Sequence, residues 1–183
     1  MRTFLSVNLD SDVLSEVSEI QRRLKLKSVD GIRWVAPERM HITLKFLGEV
    51  TQDQVIELEK SLHRPARRLS PFYISFRGIG AFPNPKKPRI LWLGIEEGRV
   101  ELQEIHKMIK DNLPFLAKDT QFTPHLTLGR SKNNAHLTLK DDLFSAEISC
   151  RNKLHVDRFY LMKSTLCPTG PVYEPLKKFF LNQ

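Results

Sequence analysis

Apolar and polar residues alternate over residues 3–9, the period of two that marks a half-buried strand. The period then changes. Asp10, Ser11 and Asp12 offer N-caps, and Val13, Val17, Ile20 and Leu24 recur at steps of three and four, which predicts an amphipathic helix. Short apolar runs over 32–35 and 41–47 read as strands parted by Pro37. Thr51 and Gln54 form a capping box ahead of Val55, Leu58 and Leu62, so a second helix is expected to about His63. Alternation returns over 72–82, the turn-rich Pro83-Asn84-Pro85 follows, and 89–95 is strand-like again. Those two runs predict a hairpin or neighbouring strands. A third helix carries Leu102, Ile105, Ile109 and Leu113 and ends where Pro114 forbids its continuation. The polar stretch 131–142 reads as a loop or a poor helix, and 143–150, 154–162 and 172–180 read as closing strands. The pattern as a whole predicts an α+β class with mostly antiparallel strands.

Composition narrows the class. A chain of 183 residues with 40% hydrophobic residues, eleven Phe, two Trp and three Tyr can bury an ordinary core without disulfide staples and is not of disordered type. Its formal charge of +8 favours polyanionic partners such as nucleic acid. No run approaches the length of a membrane span and no leader pattern opens the chain, so a cytoplasmic protein without a membrane partner is expected. Cys150 and Cys167, without Cys-x-x-Cys spacing, read as reduced thiols. The Gly78-Ile79-Gly80 pair lacks the third glycine and the helix start of a dinucleotide fingerprint.

The informative feature is a repeat. His41-Ile42-Thr43-Leu44 and His125-Leu126-Thr127-Leu128 share one H-x-T-L pattern at positions 84 apart, close to half the chain. Proline precedes each copy and glycine follows it, so one domain, residues 1–183, made of two similar lobes is implied. Along a strand, His41 and Thr43 point to one face and Ile42 and Leu44 to the other, and the second copy does likewise. Two such strands related by an approximate two-fold axis would meet across a cleft holding two imidazoles and two hydroxyls. At neutral pH one imidazole can take a proton from water while the other gives one to a leaving oxygen. The hydroxyls can donate to an anion between them. A phosphodiester fits that cleft. With both groups near their ordinary value, the rate profile is expected to be bell-shaped with a plateau at roughly pH 6 to 8. Alternation also gives Lys45 the parity of His41, and Trp34 and Phe46 could stack on a nucleobase. His63, His106, His136 and His155 read as structural or solvent-facing. Neither motif has a carboxylate cluster or metal-ligand spacing beside it, so no metal and no cofactor are expected.

These residues carry a resemblance. The chain resembles the 2H phosphoesterase superfamily, and within it the bacterial and archaeal RNA 2′,3′-cyclic phosphodiesterases of the 2′-5′ RNA ligase family. The likeness rests on the blocks HITLKFLGEV (41–50) and FTPHLTLGR (122–130), supported by the opening RTFL, Trp34-Val35 before Pro37, Leu91-Trp92-Leu93, and the closing Ser164, Leu166, Pro168, Gly170 and Tyr173. It implies a bilobal α+β fold of duplicated antiparallel sheets, helices outside and a central groove. It implies metal-independent opening of RNA 2′,3′-cyclic phosphate ends to 2′-phosphomonoesters, with weak reverse 2′,5′ ligation. His41 becomes the proton donor and His125 the proton acceptor, an order the residues alone leave open. Thr43 and Thr127 become phosphate ligands. Arg130 lies near the phosphate by resemblance, whereas simple alternation puts it on the opposite face unless Gly129 permits a bulge. The implied partners are cyclic-phosphate RNA ends, tRNA halves among them, or nucleotides, acted on by a monomer. The alternatives are a 2H phosphodiesterase for another substrate, such as a 2′,5′-oligoadenylate or an ADP-ribose cyclic phosphate, and a non-catalytic RNA-binding module.

Overall fold

Strand β1 (Arg2–Asn8) and helix α1 (Ser11–Lys27) open the chain, and all four apolar residues of the expected helical stripe are buried at 3% exposure or less. The computed structural model describes residues 1–27, 31–113, 121–132, 144, 147–168 and 170–182. Strand β2 (Ile32–Trp34) leads through a single 3-10 turn at Pro37 into β3 (His41–Glu49), the strand of the first motif. Helix α2 (Gln52–Ala66) starts at the expected capping box, with Thr51 accepting from the Gln54 backbone and Gln54 accepting in return. It runs one turn-fraction beyond His63, because Pro65 sits in its last turn where little hydrogen bonding is forfeited and Ala66 is fully buried.

The alternating run over 72–82 is two strands. β4 (Phe72–Ile74) and β5 (Phe76–Phe82) are separated at Ser75, and only β5 forms the expected antiparallel pair with β6 (Ile90–Ile95). Helix α3 (Arg99–Asn112) follows, then β7 (His125–Ser131), the strand of the second motif. The loop expected over 131–142 lies mostly outside the described residues, although Ser131 itself still pairs with Ile32 at the end of β7. The strand expected over 143–150 does not form among the described residues, where only Ser149 makes a single bridge, to Arg77. The expected strand over 154–162 is likewise two, β8 (Leu154–Val156) and β9 (Arg158–Cys167), and β10 (Gly170–Phe180) closes the chain.

The strands build two four-stranded antiparallel sheets, ordered β10-β9-β1-β3 and β2-β7-β6-β5, and a small pair β4-β8. Each large sheet holds one motif strand. Strand β2 comes from the first half of the chain but pairs with β7 of the second, and this exchange ties the halves together. The core runs through both: Ile42 and Leu44 of the first motif and Leu126 and Leu128 of the second are at most 1% exposed. Burying four such side chains anchors each motif strand with one face in the core, which fixes its register. Among the described residues no helix is long and apolar enough to cross a membrane.

Candidate active site

The imidazole of each motif is held in the same way. His41 Nδ1 lies 2.8 Å from the Arg39 carbonyl and His125 Nδ1 lies 2.7 Å from the Thr123 carbonyl, each two residues back. A backbone carbonyl only accepts, so Nδ1 carries the proton and donates it. That leaves Nε2 of both rings as the working nitrogen. Both rings are also walled by aromatic side chains. Phe4 stacks on His41 at 4.8 Å and Tyr173 meets it edge-on at 5.2 Å. Phe82 meets His125 edge-on at 4.9 Å, with Trp92 at 6.1 Å. Neither Thr43 nor Thr127 has its hydroxyl engaged by another described residue, and each sits two positions beyond its histidine at the same half-buried depth.

Burial in these walls disfavours the charged rings. His41 is pushed down to about 4, chiefly by desolvation, against the opposing hydrogen bond to the Arg39 carbonyl, with Arg130 and His125 lowering it further. His125 is lowered as well, again by burial first and by Arg130. Each histidine therefore feels the Arg130 charge, and His41 feels His125. Two imidazoles and one guanidinium from the two sheets are thus within electrostatic reach of one another, and Thr43 and Thr127 follow their histidines at the alternating positions of β3 and β7.

A break in strand register decides what else reaches it. In β3, Thr43 pairs with Ser6 but Lys45, not Leu44, pairs with Leu5. In β7, Thr127 pairs with Trp92 but Gly129, not Leu128, pairs with Leu91. Each motif thus ends in a β-bulge at its leucine, and one extra residue inverts the alternation beyond it. Lys45 turns to the side of its core-buried partner Leu5 and is 7% exposed. The expectation that Lys45 shares the histidine face is corrected on that ground. Phe46 takes the histidine side instead, 62% exposed and 6.1 Å from the Phe4 ring. Arg130 returns to the histidine face in the second motif, as its effect on both rings requires. Gly129 fills the position equivalent to Lys45, where an added Cβ would lie 2.6 Å from Ile32 and 3.3 Å from Trp34.

Trp34 pairs with Gly129 and packs against the core with Lys25 over its ring. It lies behind the site, so the expectation of a nucleobase platform at Trp34 is corrected too. The indole on the histidine side is Trp92. It lies flat over Gly80, where an added Cβ would come within 2.1 Å of the ring, and beside Gly94. Alternation in β6 carries no sign of this, but a tryptophan with one glycine opposite it on the neighbouring strand and another two positions along its own is a readable signal of a ring laid on the sheet. Phe4, Phe82 and Tyr173 were also not legible as site residues.

Both bulges are held from outside by a helix. Gln21 of α1, 2% exposed, donates to the carbonyls of Leu128 at 3.0 Å and Val35 at 2.7 Å. His106 of α3 bonds the Leu44 carbonyl at 2.9 Å and stacks on Phe122. Each helix thereby secures the bulge of the motif in the other half of the chain. Cys150 takes no part: burial pushes its thiol up to about 12. Among the described residues no group of three or more His, Cys, Asp or Glu could hold a metal ion.

The comparisons with known proteins agree with this duplicated plan. The family described as LigT like Phosphoesterase matches the chain twice, over residues 7–92 and 93–173, one histidine motif in each. A protein of Archaeoglobus fulgidus named RNA 2′,3′-cyclic phosphodiesterase is 37% identical over 182 residues, covering 98% of this chain and 99% of its own. One of the same name from Aquifex aeolicus is 34% identical over 94% of this chain and 93% of its own. Among solved structures, TT0787 of Thermus thermophilus superimposes with a TM-score of 0.81 at 30% identity, over 98% of this chain and 97% of its own. Escherichia coli LigT complexed with 3′-AMP reaches 0.81 at 24% identity, over 100% and 98%, and carries the likeness of fold alone.

Proposed function

The chain belongs to the LigT-like phosphoesterase family, and on that premise we propose that it hydrolyses RNA 2′,3′-cyclic phosphate ends to 2′-phosphomonoesters with its two histidines as acid and base. The observation that carries the reading is the matched pair of imidazoles. Each donates Nδ1–H to a carbonyl two residues back, each keeps Nε2 free for proton transfer, and both feel Arg130. His125 Nε2 takes a proton from water as the water oxygen attacks phosphorus. The P–O3′ bond breaks, and His41 Nε2 gives its proton to the departing O3′, leaving the phosphate on O2′. Thr43 and Thr127 donate to the non-bridging oxygens, and Arg130 balances the charge that develops on them. With the 5′-hydroxyl of a second RNA in place of water the same pair in the same roles supports 2′,5′ joining: His125 takes the hydroxyl proton as its oxygen attacks phosphorus, and His41 protonates the departing O3′.

No step of this scheme calls on a metal. The substrates are cyclic-phosphate RNA ends, tRNA halves among them, and since one chain supplies both histidines a monomer suffices. The test is incubation with a cyclic-phosphate-ended oligonucleotide in EDTA, followed by assignment of the product phosphate. A 2′-monoester supports the reading. A 3′-monoester, or turnover lost on chelation and regained with a divalent ion, overturns it.

A further inference from the structure

Strand β2 places a second arginine directly opposite the first. Arg33 pairs with Arg130 in the antiparallel register, between Ile32–Ser131 and Trp34–Gly129. Paired residues project to the same face, so Arg33 stands on the groove side with Arg130 while Ile32 and Trp34 pack toward the core. Both arginines are exposed, and no carboxylate of the described residues makes an ion pair or hydrogen bond with either. Like charges directly opposite across a sheet destabilise it, whereas Arg22, Arg77, Arg151 and Arg158 each have a carboxylate partner. The pair calls for an anion from outside.

Arg130 is the member felt by both histidines, so the scissile phosphate is its counter-charge. Arg33 lies one strand farther from that phosphate, about 4.8 Å along the sheet, on the edge strand. The terminal nucleotide of an RNA bearing a cyclic phosphate has one other anion next to it, the phosphodiester on its 5′ side. Resting on the function proposed above, we propose that Arg33 binds this upstream phosphodiester and makes the protein prefer an RNA end over a free nucleoside cyclic phosphate. Arg33 is then a specificity residue that takes no part in proton transfer.

The experiment compares kcat/KM for a nucleoside 2′,3′-cyclic phosphate with that for a dinucleotide ending in the same group. The wild-type protein is expected to favour the dinucleotide by about tenfold, the worth of one charge-assisted contact. In Arg33→Gln that ratio falls toward one, and Arg33→Lys restores part of it. A dinucleotide with an uncharged methylphosphonate linkage should give the wild-type protein the ratio that Arg33→Gln shows with the natural linkage. An unchanged ratio in Arg33→Gln, or no response to the methylphosphonate, overturns the assignment. Absence of wild-type turnover on both substrates overturns the parent reading of the site and this one with it, whereas turnover with an Arg33-insensitive ratio removes this one alone.

Discussion

The pH dependence of the reaction is where burial speaks most directly. The acid must be protonated and the base neutral at the same moment. In the free protein His41 sits at about 4, so at pH 7 only about one molecule in a thousand holds the acid protonated. His125 is lowered from its ordinary value too. The sign follows from both shifts: the competent population is level between about 4 and the lowered value of His125, and above that value it falls tenfold for each pH unit. Since kcat/KM reports the free protein, it should fall about a hundredfold from pH 7 to 9. The bound phosphodiester is an anion and raises both imidazoles, so the profile of kcat lies at higher pH than that of kcat/KM. The plateau at pH 6 to 8 expected from unperturbed imidazoles thus moves acidward for kcat/KM, because burial against Phe4 and Tyr173 disfavours the charged His41 ring. The assay is initial-rate turnover of a nucleoside 2′,3′-cyclic phosphate from pH 4 to 9 at constant ionic strength. Arg130→Gln removes a cation that lowers both rings, so the falling limb of its kcat/KM profile should move to higher pH even as the rate drops. A kcat/KM that rises through pH 9, or an Arg130→Gln limb displaced to lower pH, would refute the reasoning.

Other substitutions separate the parts of the site. His41→Ala and His125→Ala should each lower turnover by about 10² to 10⁴ fold, and the double variant should lose far less than the product of the two, as residues acting in one step do; near-wild-type rates in either single variant remove that histidine from the chemistry. Thr43→Val and Thr127→Val should lose roughly 10 to 10³ fold with little change in melting temperature, and unfolding of these variants alone would make the hydroxyls structural. Gln21→Leu deletes the bonds that hold the Leu128 bulge, and with Arg130 no longer aimed its kcat/KM limb should move toward higher pH as in Arg130→Gln; a loss of stability with an unmoved limb would confine Gln21 to folding. Gly80→Val thrusts a side chain into the Trp92 ring and should lower kcat through the displaced wall of His125, which a fluorescence shift of the indole would report.

Much of this protein can be read along its sequence, and the reason is that the relevant signals are local. The stripe of α1, the capping box of α2 and the parity of His41 with Thr43 and of His125 with Thr127 depend on residues within a turn or a strand of one another. Duplication of H-x-T-L then implies a shared cleft, because two identical polar faces need a common purpose. What the sequence does not carry is register. Alternation points Lys45 into the groove and Arg130 away from it, and a single extra residue at Leu44 and at Leu128 reverses both. Those bulges are held by Gln21 and His106, distant in sequence by 107 and 62 positions from the carbonyls they bond. The swap of β2 onto β7 is equally non-local, and it alone brings Arg33 beside Arg130. Side-chain period is a property of a strand by itself, but the place where a strand slips by one residue is settled by the partners that surround it.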